Sequence, residues 1–223
     1  PDSIIDGVSV YETRLRMGEH LAEKVKQHLP VDEIDVVIPI PDSSRPSAME
    51  LAQTLGIPYR EGFVKNRYIG RTFIQPSDGA RHADVKRKHN ANRALVEGKR
   101  IVLIDDSIVR GTTSMKIVQM MRDAGAAEVH MRVASPPTSH SCFYGVDTPE
   151  RHKLLAARMD VEEMTRFIVA DSLAFVSIDG LYRAVSNGER KNACPQHCDA
   201  CFTGDYPTRL TDLAEREADA GQL

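Results

Sequence analysis

No run of apolar residues in the 223-residue chain approaches the ~20 needed to cross a bilayer. The opening Pro1-Asp2-Ser3-Ile4 has neither the basic start nor the apolar core of a secretory signal. Membrane insertion and export are set aside, and a cytoplasmic setting is expected. The start also lacks an initiator Met, so the chain reads as processed, excised or partial. Strong charge bias is missing too: 29 Lys and Arg against 32 Asp and Glu leave a formal charge of −3, which argues against a general nucleic-acid binder. Neither G-x-x-x-x-G-K nor G-x-G-x-x-G occurs, so the Walker and Rossmann modes of phosphate binding are out. The eight His never recur at H-x-x-x-H spacing, and no Ser-His or Cys-His pair is arranged locally for nucleophilic catalysis. Of four cysteines, three crowd into Cys194-Pro-Gln-His-Cys198-Asp-Ala-Cys201, which suits metal ligation better than a secreted disulfide framework.

What the chain does have is organised around residues 100–113. Ile101, Val102, Leu103 and Ile104 form a continuous apolar run, the pattern of a strand buried on both faces. Two carboxylates, Asp105 and Asp106, follow it. A polar turn with one glycine, Gly111, then leads through Thr112, Thr113 and Ser114 into an amphipathic pattern (Met115, Val118, Met121). Main-chain N–H groups of such a turn, with the helix dipole behind them, hold a phosphate. The carboxylates take sugar hydroxyls or a divalent cation. Acids are common in turns, and Asp-Asp alone is weak evidence; between a buried strand and Gly-Thr-Thr it is much stronger.

Around this run the chain alternates. A helix is expected over 10–29, stopped by Pro30, and a buried strand over 34–40. A tight polar loop follows at 41–46, then a helix over 47–55 closed by Gly56. Residues 57–64 read as extended. Residues 60–93 carry nine Lys or Arg against three acids, the character of a basic loop able to close over a polyanion. A strand over 128–134 ends at Ser135-Pro136-Pro137. Helices are expected over 150–158 and 161–170, the second with Asp160 and Glu163 as a capping box. A short strand is expected at 175–176 and a last core helix over 178–185. The charged tail 211–223 reads as a surface or frayed helix. Alternating strands and helices point to an α/β fold with a mostly parallel central sheet flanked by helices. In such sheets ligands sit at the carboxyl ends of strands, where the loops 41–46 and 105–113 both lie. They face each other only if their strands are near neighbours. The expected division is 1–185 as the main domain and 186–223 as a cysteine-containing segment with a charged tail.

The stretch from Val102 to Thr113 resembles the phosphoribosyl diphosphate (PRPP) signature of type I phosphoribosyltransferases. The segment from Val64 to Pro76 (Val-Lys-Asn-Arg-Tyr-Ile-Gly-Arg-Thr-Phe-Ile-Gln-Pro) narrows the match. With Ser135-Pro136-Pro137, the run from Cys142 to Asp147, and Cys201-Phe202-Thr203-Gly204, it resembles the glutamine PRPP amidotransferase family over residues 1 to about 210. That resemblance implies displacement of pyrophosphate from PRPP by ammonia, giving 5-phosphoribosylamine at the start of purine synthesis. It assigns Asp105 and Asp106 to the ribose hydroxyls and Mg²⁺. Ser107, Ile108, Val109, Arg110, Gly111, Thr112 and Thr113 go to the 5′-phosphate. Asp42, Ser43 and Ser44 go to the pyrophosphate, with Ser43 helping to hold the metal. Lys65, Arg67, Tyr68 and Arg71 go to a flexible loop that orders over PRPP. It further implies a [4Fe–4S] cluster in many members, with Cys142, Cys198 and Cys201 at three ligand positions and Cys194 as a candidate substitute for the fourth. Purine nucleotides are implied as feedback inhibitors, and a homo-oligomer, tetramer or dimer, as the assembly. An N-terminal glutaminase domain belongs to the family, and nothing in the chain resembles it.

Two other readings share the acid-pair signature. One is a salvage phosphoribosyltransferase acting on a nucleobase, for which no base-binding hood is identifiable. The other is a non-catalytic sensor of PRPP or nucleotides, which the intact Asp105, Asp106, Ser43 and basic loop disfavour.

Overall fold

The structure, a computed structural model, describes residues 2–65, 89–186 and 188–209. A two-stranded hairpin, β1 (Ile4–Ile5) and β2 (Val8–Ser9), opens the chain. Its turn, Asp6-Gly7, is left-handed at both residues, the pairing that tight hairpins favour. Helix α1 (Val10–His28) starts at once, with Ser9 Oγ accepting from the Glu12 N–H at 3.3 Å. Next come β3 (Val36–Pro39) and α2 (Arg45–Leu55), which begins two residues ahead of the expected 47, with Pro46 in its first turn and left-handed Gly56 as its cap.

Residues 57–65 and 89–96 are more ordered than an open loop. Tyr59 bridges in parallel to Val37. Strands β4 (Phe63–Lys65) and β5 (His89–Ala91) pair antiparallel, and a helical turn, α3 (Arg93–Val96), leads to β6 (Arg100–Asp105). The basic segment therefore leaves and re-enters through a paired stem. After β6 come α4 (Thr112–Asp123), β7 (Glu128–Val133), α5 (Val161–Ile168), β8 (Ser172–Phe175), α6 (Ile178–Ser186) and the short α7 (Ala200–Thr203). The tail 211–223 lies outside the described residues.

Strands β3, β6, β7 and β8 form one parallel sheet in that order, flanked by helices. Alternate residues of β6 feed two cores. Ile101 and Leu103 pack with Val129, Met131, Ile117 and Met164 under α4 and α5. Val102 and Ile104 pack with Val37, Leu21, Val25 and Leu51 under α1 and α2. Gly18 marks the α1–α2 crossing, where an added Cβ would lie 2.3 Å from the Ser47 carbonyl. This double burial is what the continuous apolar run demanded.

Two expectations need correction. The helix over 150–158 is instead two 3₁₀ turns, Arg151–Lys153 and Leu155–Ala157. A continuous helix would commit the Leu155 N–H to its own turn, whereas that N–H reaches across to Val109 O at 2.8 Å. The strand at 175–176 begins earlier, at Ser172, and Val176 follows it with an N–H to Val133 O at 3.0 Å. Ser172 and Ala174 gave it too weak an apolar pattern. The capping box holds: Asp160 accepts from the Glu163 N–H at 2.8 Å, and Glu163 accepts from the Asp160 N–H at 3.0 Å. Among the described residues no helix is long and apolar enough to cross a membrane.

Candidate functional site

Strands β3 and β6 are direct neighbours in register, from Val36 opposite Ile101 to Pro39 opposite Ile104. The loops that follow them therefore emerge side by side at the carboxyl edge of the sheet. Ile40 N–H still bonds Ile104 O at 2.8 Å, and then the two chains part. The gap between diverging loops is where such sheets bind ligands.

The first loop is held from three directions. Ser44 is 1% exposed and its hydroxyl donates to Ile40 O. Arg14, on α1, donates to Ser43 O at 3.2 Å. Arg45 donates to Asp42 Oδ1 at 2.9 Å. The second loop begins with the acid pair. Asp106 donates its N–H to Asp105 Oδ1 at 2.9 Å. Burial pushes the Asp105 carboxyl well above the usual carboxylate range and the neighbouring Asp106 charge adds to this, while the Asp106 N–H pulls the other way. Ile108 is buried and anchors the turn in the core. Gly111 is left-handed at φ 75°, and an added Cβ would sit 2.6 Å from Leu155 Cδ2 and 3.1 Å from Phe167 Cε1. Only glycine fits both the backbone and the space. Helix α4 starts at the next residue, so the first-turn amides of Thr112, Thr113 and Ser114 have no carbonyl within the helix. They lie beside Ser107–Arg110 at the positive end of its dipole.

The geometry thus brings Asp42, Ser43, Ser44, Asp105, Asp106 and the 107–113 turn to one edge. Lys65 ends β4. Arg67, Tyr68 and Arg71 lie outside the described residues. Several contributors were not foreseen. Arg14 acts from a helix whose pattern reads only as amphipathic. Arg45 falls in the loop expected over 41–46 and opens α2 in the structure, and its partner Glu61 is sixteen residues on. Leu155 and Phe167 back Gly111 from far along the chain, and no local pattern signals them.

An acid pair whose inner member is pushed up by burial and by its neighbour is a place short of positive charge. Asp105 and Asp106 so fit a divalent cation, although among the described residues no three His, Cys, Asp or Glu side chains converge to hold a metal. The same holds for the cysteines, all four of which are free. Burial raises the Cys201 thiol, and Cys142 and then Cys198 are near enough to raise it further. Cys194 is exposed on the turn ahead. Cys201 O accepts N–H groups from both Ser139 and His140 at 3.0 Å, which joins the 139–142 strip to the cysteine segment. That segment is also pinned to α6. Tyr182 donates to Asp199 Oδ2 at 2.8 Å, Arg190 reaches the same oxygen at 2.6 Å, and Arg190 also pairs with Asp205 at 2.6 Å.

A parallel sheet with an acid pair, a glycine turn and a helix start at its carboxyl edge defines a sugar-phosphate-binding α/β domain. A family model described as "Phosphoribosyl transferase domain" matches residues 9–138, and the chain belongs to that family. More particularly, it is 58% identical over 213 residues to the amidophosphoribosyltransferase of Rhizobium etli, covering 95% of this chain and 42% of that protein. It is 49% identical to the one of Bacillus subtilis, covering 94% of this chain and 43% of that protein. A solved structure of the B. subtilis glutamine PRPP amidotransferase, described as complexed with ADP and GMP, superposes with a TM-score of 0.80 at 49% identity, covering 94% of this chain and 45% of that one. The chain spans less than half the length of these relatives.

Proposed function

We propose that this chain is the pyrophosphate-displacing half of an amidophosphoribosyltransferase, which transfers ammonia to C1 of PRPP. The observation that carries the reading is the adjacency of β3 and β6, which sets an acid pair beside a second polar loop. Asp105 and Asp106 take the ribose hydroxyls. Residues 107–113 take the 5′-phosphate through main-chain N–H groups, and Asp42, Ser43 and Ser44 take the pyrophosphate. Cleavage of the C1–O bond builds positive charge on the ribose ring and negative charge on the departing pyrophosphate. The carboxylates stabilise the first of these and the loop amides the second. Ammonia supplies its own lone pair, so no general base has to activate it, and the surplus proton leaves after the C–N bond forms. Mg²⁺ bound at Asp105, Asp106 and Ser43 would neutralise charge on the leaving group. Lys65, Arg67, Tyr68 and Arg71 act on the bound PRPP, the role the family resemblance implies for them. Residues 1–185 form the transferase body and 186–223 an appended segment. In the longer protein, glutamine is the source of ammonia, purine nucleotides compete for the PRPP site, and the assembly is a homo-oligomer of cytoplasmic enzyme. Cys142, Cys198 and Cys201 would hold three corners of an iron–sulfur cluster, with Cys194 the weaker candidate.

The test is pyrophosphate release from PRPP with Mg²⁺, comparing ammonium salts with a panel of nucleobases. Release that rises with free ammonia and ignores the bases is expected. Turnover with a base and none with ammonia overturns the proposal in favour of salvage chemistry, and binding without turnover favours a sensor.

A further inference from the structure

Arg45 occupies an unfavourable place by helix physics. It is the first residue of α2, whose first turn contains no acid, and a cation there opposes the macrodipole. All three of its guanidinium nitrogens nevertheless reach a carboxylate. Nε lies 3.1 and 3.3 Å from the two Glu61 oxygens, and Nη2 lies 3.2 Å from Oε2. Nη1 holds Asp42 Oδ1 at 2.9 Å. Tyr59 donates to Glu61 Oε1 at 2.6 Å and so fixes the far side of the fork. Tyr59 is itself fixed by the backbone bridge beside β3 (Val37 N to Pro58 O, 2.9 Å; Arg60 N to Val37 O, 3.0 Å). Arg45 thus lies between two carboxylates, Asp42 within the loop proposed for the pyrophosphate and Glu61 beside it.

We propose that Arg45 is a charge-balancing positioning residue of the pyrophosphate subsite, offsetting Asp42 and Glu61 so that a polyphosphate can occupy residues 42–44. This rests on the PRPP reading of that loop. The offset acts on the charge of the loop before any bond breaks, so the effect belongs in affinity more than in turnover. A clasp and a charge balance predict different signs. If the Arg45–Glu61 pair only clamps the loop, removing either partner loosens it equally. If charge is what matters, the two removals act in opposite directions.

The experiment is calorimetric titration of the 223-residue chain with PRPP and, separately, with inorganic pyrophosphate, both with Mg²⁺. Arg45→Gln is expected to weaken both ligands roughly tenfold, and Glu61→Gln to tighten them about two- to threefold. The double variant is expected to fall between, and Arg45→Lys, which keeps the charge without the fork, to stay within about twofold of wild type. Equal weakening by Arg45→Gln and Glu61→Gln, or a loss with Arg45→Lys as large as with Arg45→Gln, overturns the proposal and leaves a clamp. The Glu61→Gln and Arg45→Lys arms decide the matter even where Arg45→Gln fails to fold. Wild type that binds neither ligand removes the PRPP reading itself; wild type that binds both while Arg45→Gln binds as well removes only the role of Arg45.

Discussion

Two aspartates at separate points of the molecule behave in opposite ways. Asp105 ends β6 at the carboxyl edge of the sheet. Its carboxylate accepts from the next residue's N–H, and its neighbour Asp106 is another acid. Asp199 sits at the foot of α7, 3% exposed. Burial alone would raise it as well, but hydrogen bonds from Arg190, Tyr182 and Thr203 together outweigh that and lower its pKa. The chemistry of the two side chains is identical; the surroundings supply compensation in one place and withhold it in the other. A deficit of positive charge maintained beside an open loop is where an incoming cation or polyol gains most. A fully compensated carboxylate has nothing left to offer a ligand, and serves to hold the cysteine segment on α6.

The largest effect that would break this comparison concerns Asp105. Asp105→Asn should cut PRPP turnover by ~100-fold or more while raising the melting temperature. The sign follows from linkage. A carboxyl raised in the folded state contributes stability that is fully present below its unfolded value, about 3.9, and lost as pH rises through the folded value. The wild type should therefore lose stability over that rise and the Asn variant should not; parallel melting curves against pH would end the contrast. Next in size is Tyr182→Phe, which removes the hydroxyl that donates to Asp199 and to His197 O. A loss of about 1–3 kcal/mol is expected in urea unfolding, with PRPP turnover kept. Asp199 has the opposite linkage to Asp105. Its contribution is present above the unfolded value and lost as pH falls through the lowered folded one. The smallest effect sharpens the rule. Arg132 on β7 is 0% exposed, and its Nε and Nη2 have no partner; burial lowers its pKa to about 10. Arg132→Met should stabilise by roughly 1–2 kcal/mol without touching turnover. A lack of compensation would then mark a site only at the carboxyl edge, and loss of turnover in Arg132→Met would undo that limit.

The four apolar residues 101–104 and the acid pair were legible because a strand buried on both faces leaves a contiguous trace, and the chemistry follows it directly. The capping box at Asp160 and Glu163 was legible because it is a local device. Ser172–Phe175 was not, since an edge strand with half-buried Ser172 and Ala174 needs little apolar character. Nor were the 3₁₀ turns near Leu155, whose backbone is set by a carbonyl forty-six residues earlier. The neighbourhood of β3 and β6, on which the site depends, is a matter of strand order, and residue patterns encode strand faces but not strand neighbours. Arg45 shows the same limit: its residue type is visible in the loop, and its partner lies beyond local reach.

The uninterrupted parallel order of the four strands also makes the molecule a two-ended object for the engineer. The amino-terminal edge is laced by Gly98 N to Gly125 O at 2.8 Å, Ala127 N to Lys99 O at 2.9 Å and Arg100 N to Asp35 Oδ2 at 2.8 Å. The loops after β3 and β6, with residues 42–44 and 105–111, open at the other end. Ala127, exposed on the turn into β7, is thus a natural attachment point for a dye or a surface tether, because it presents the working edge outward to solution.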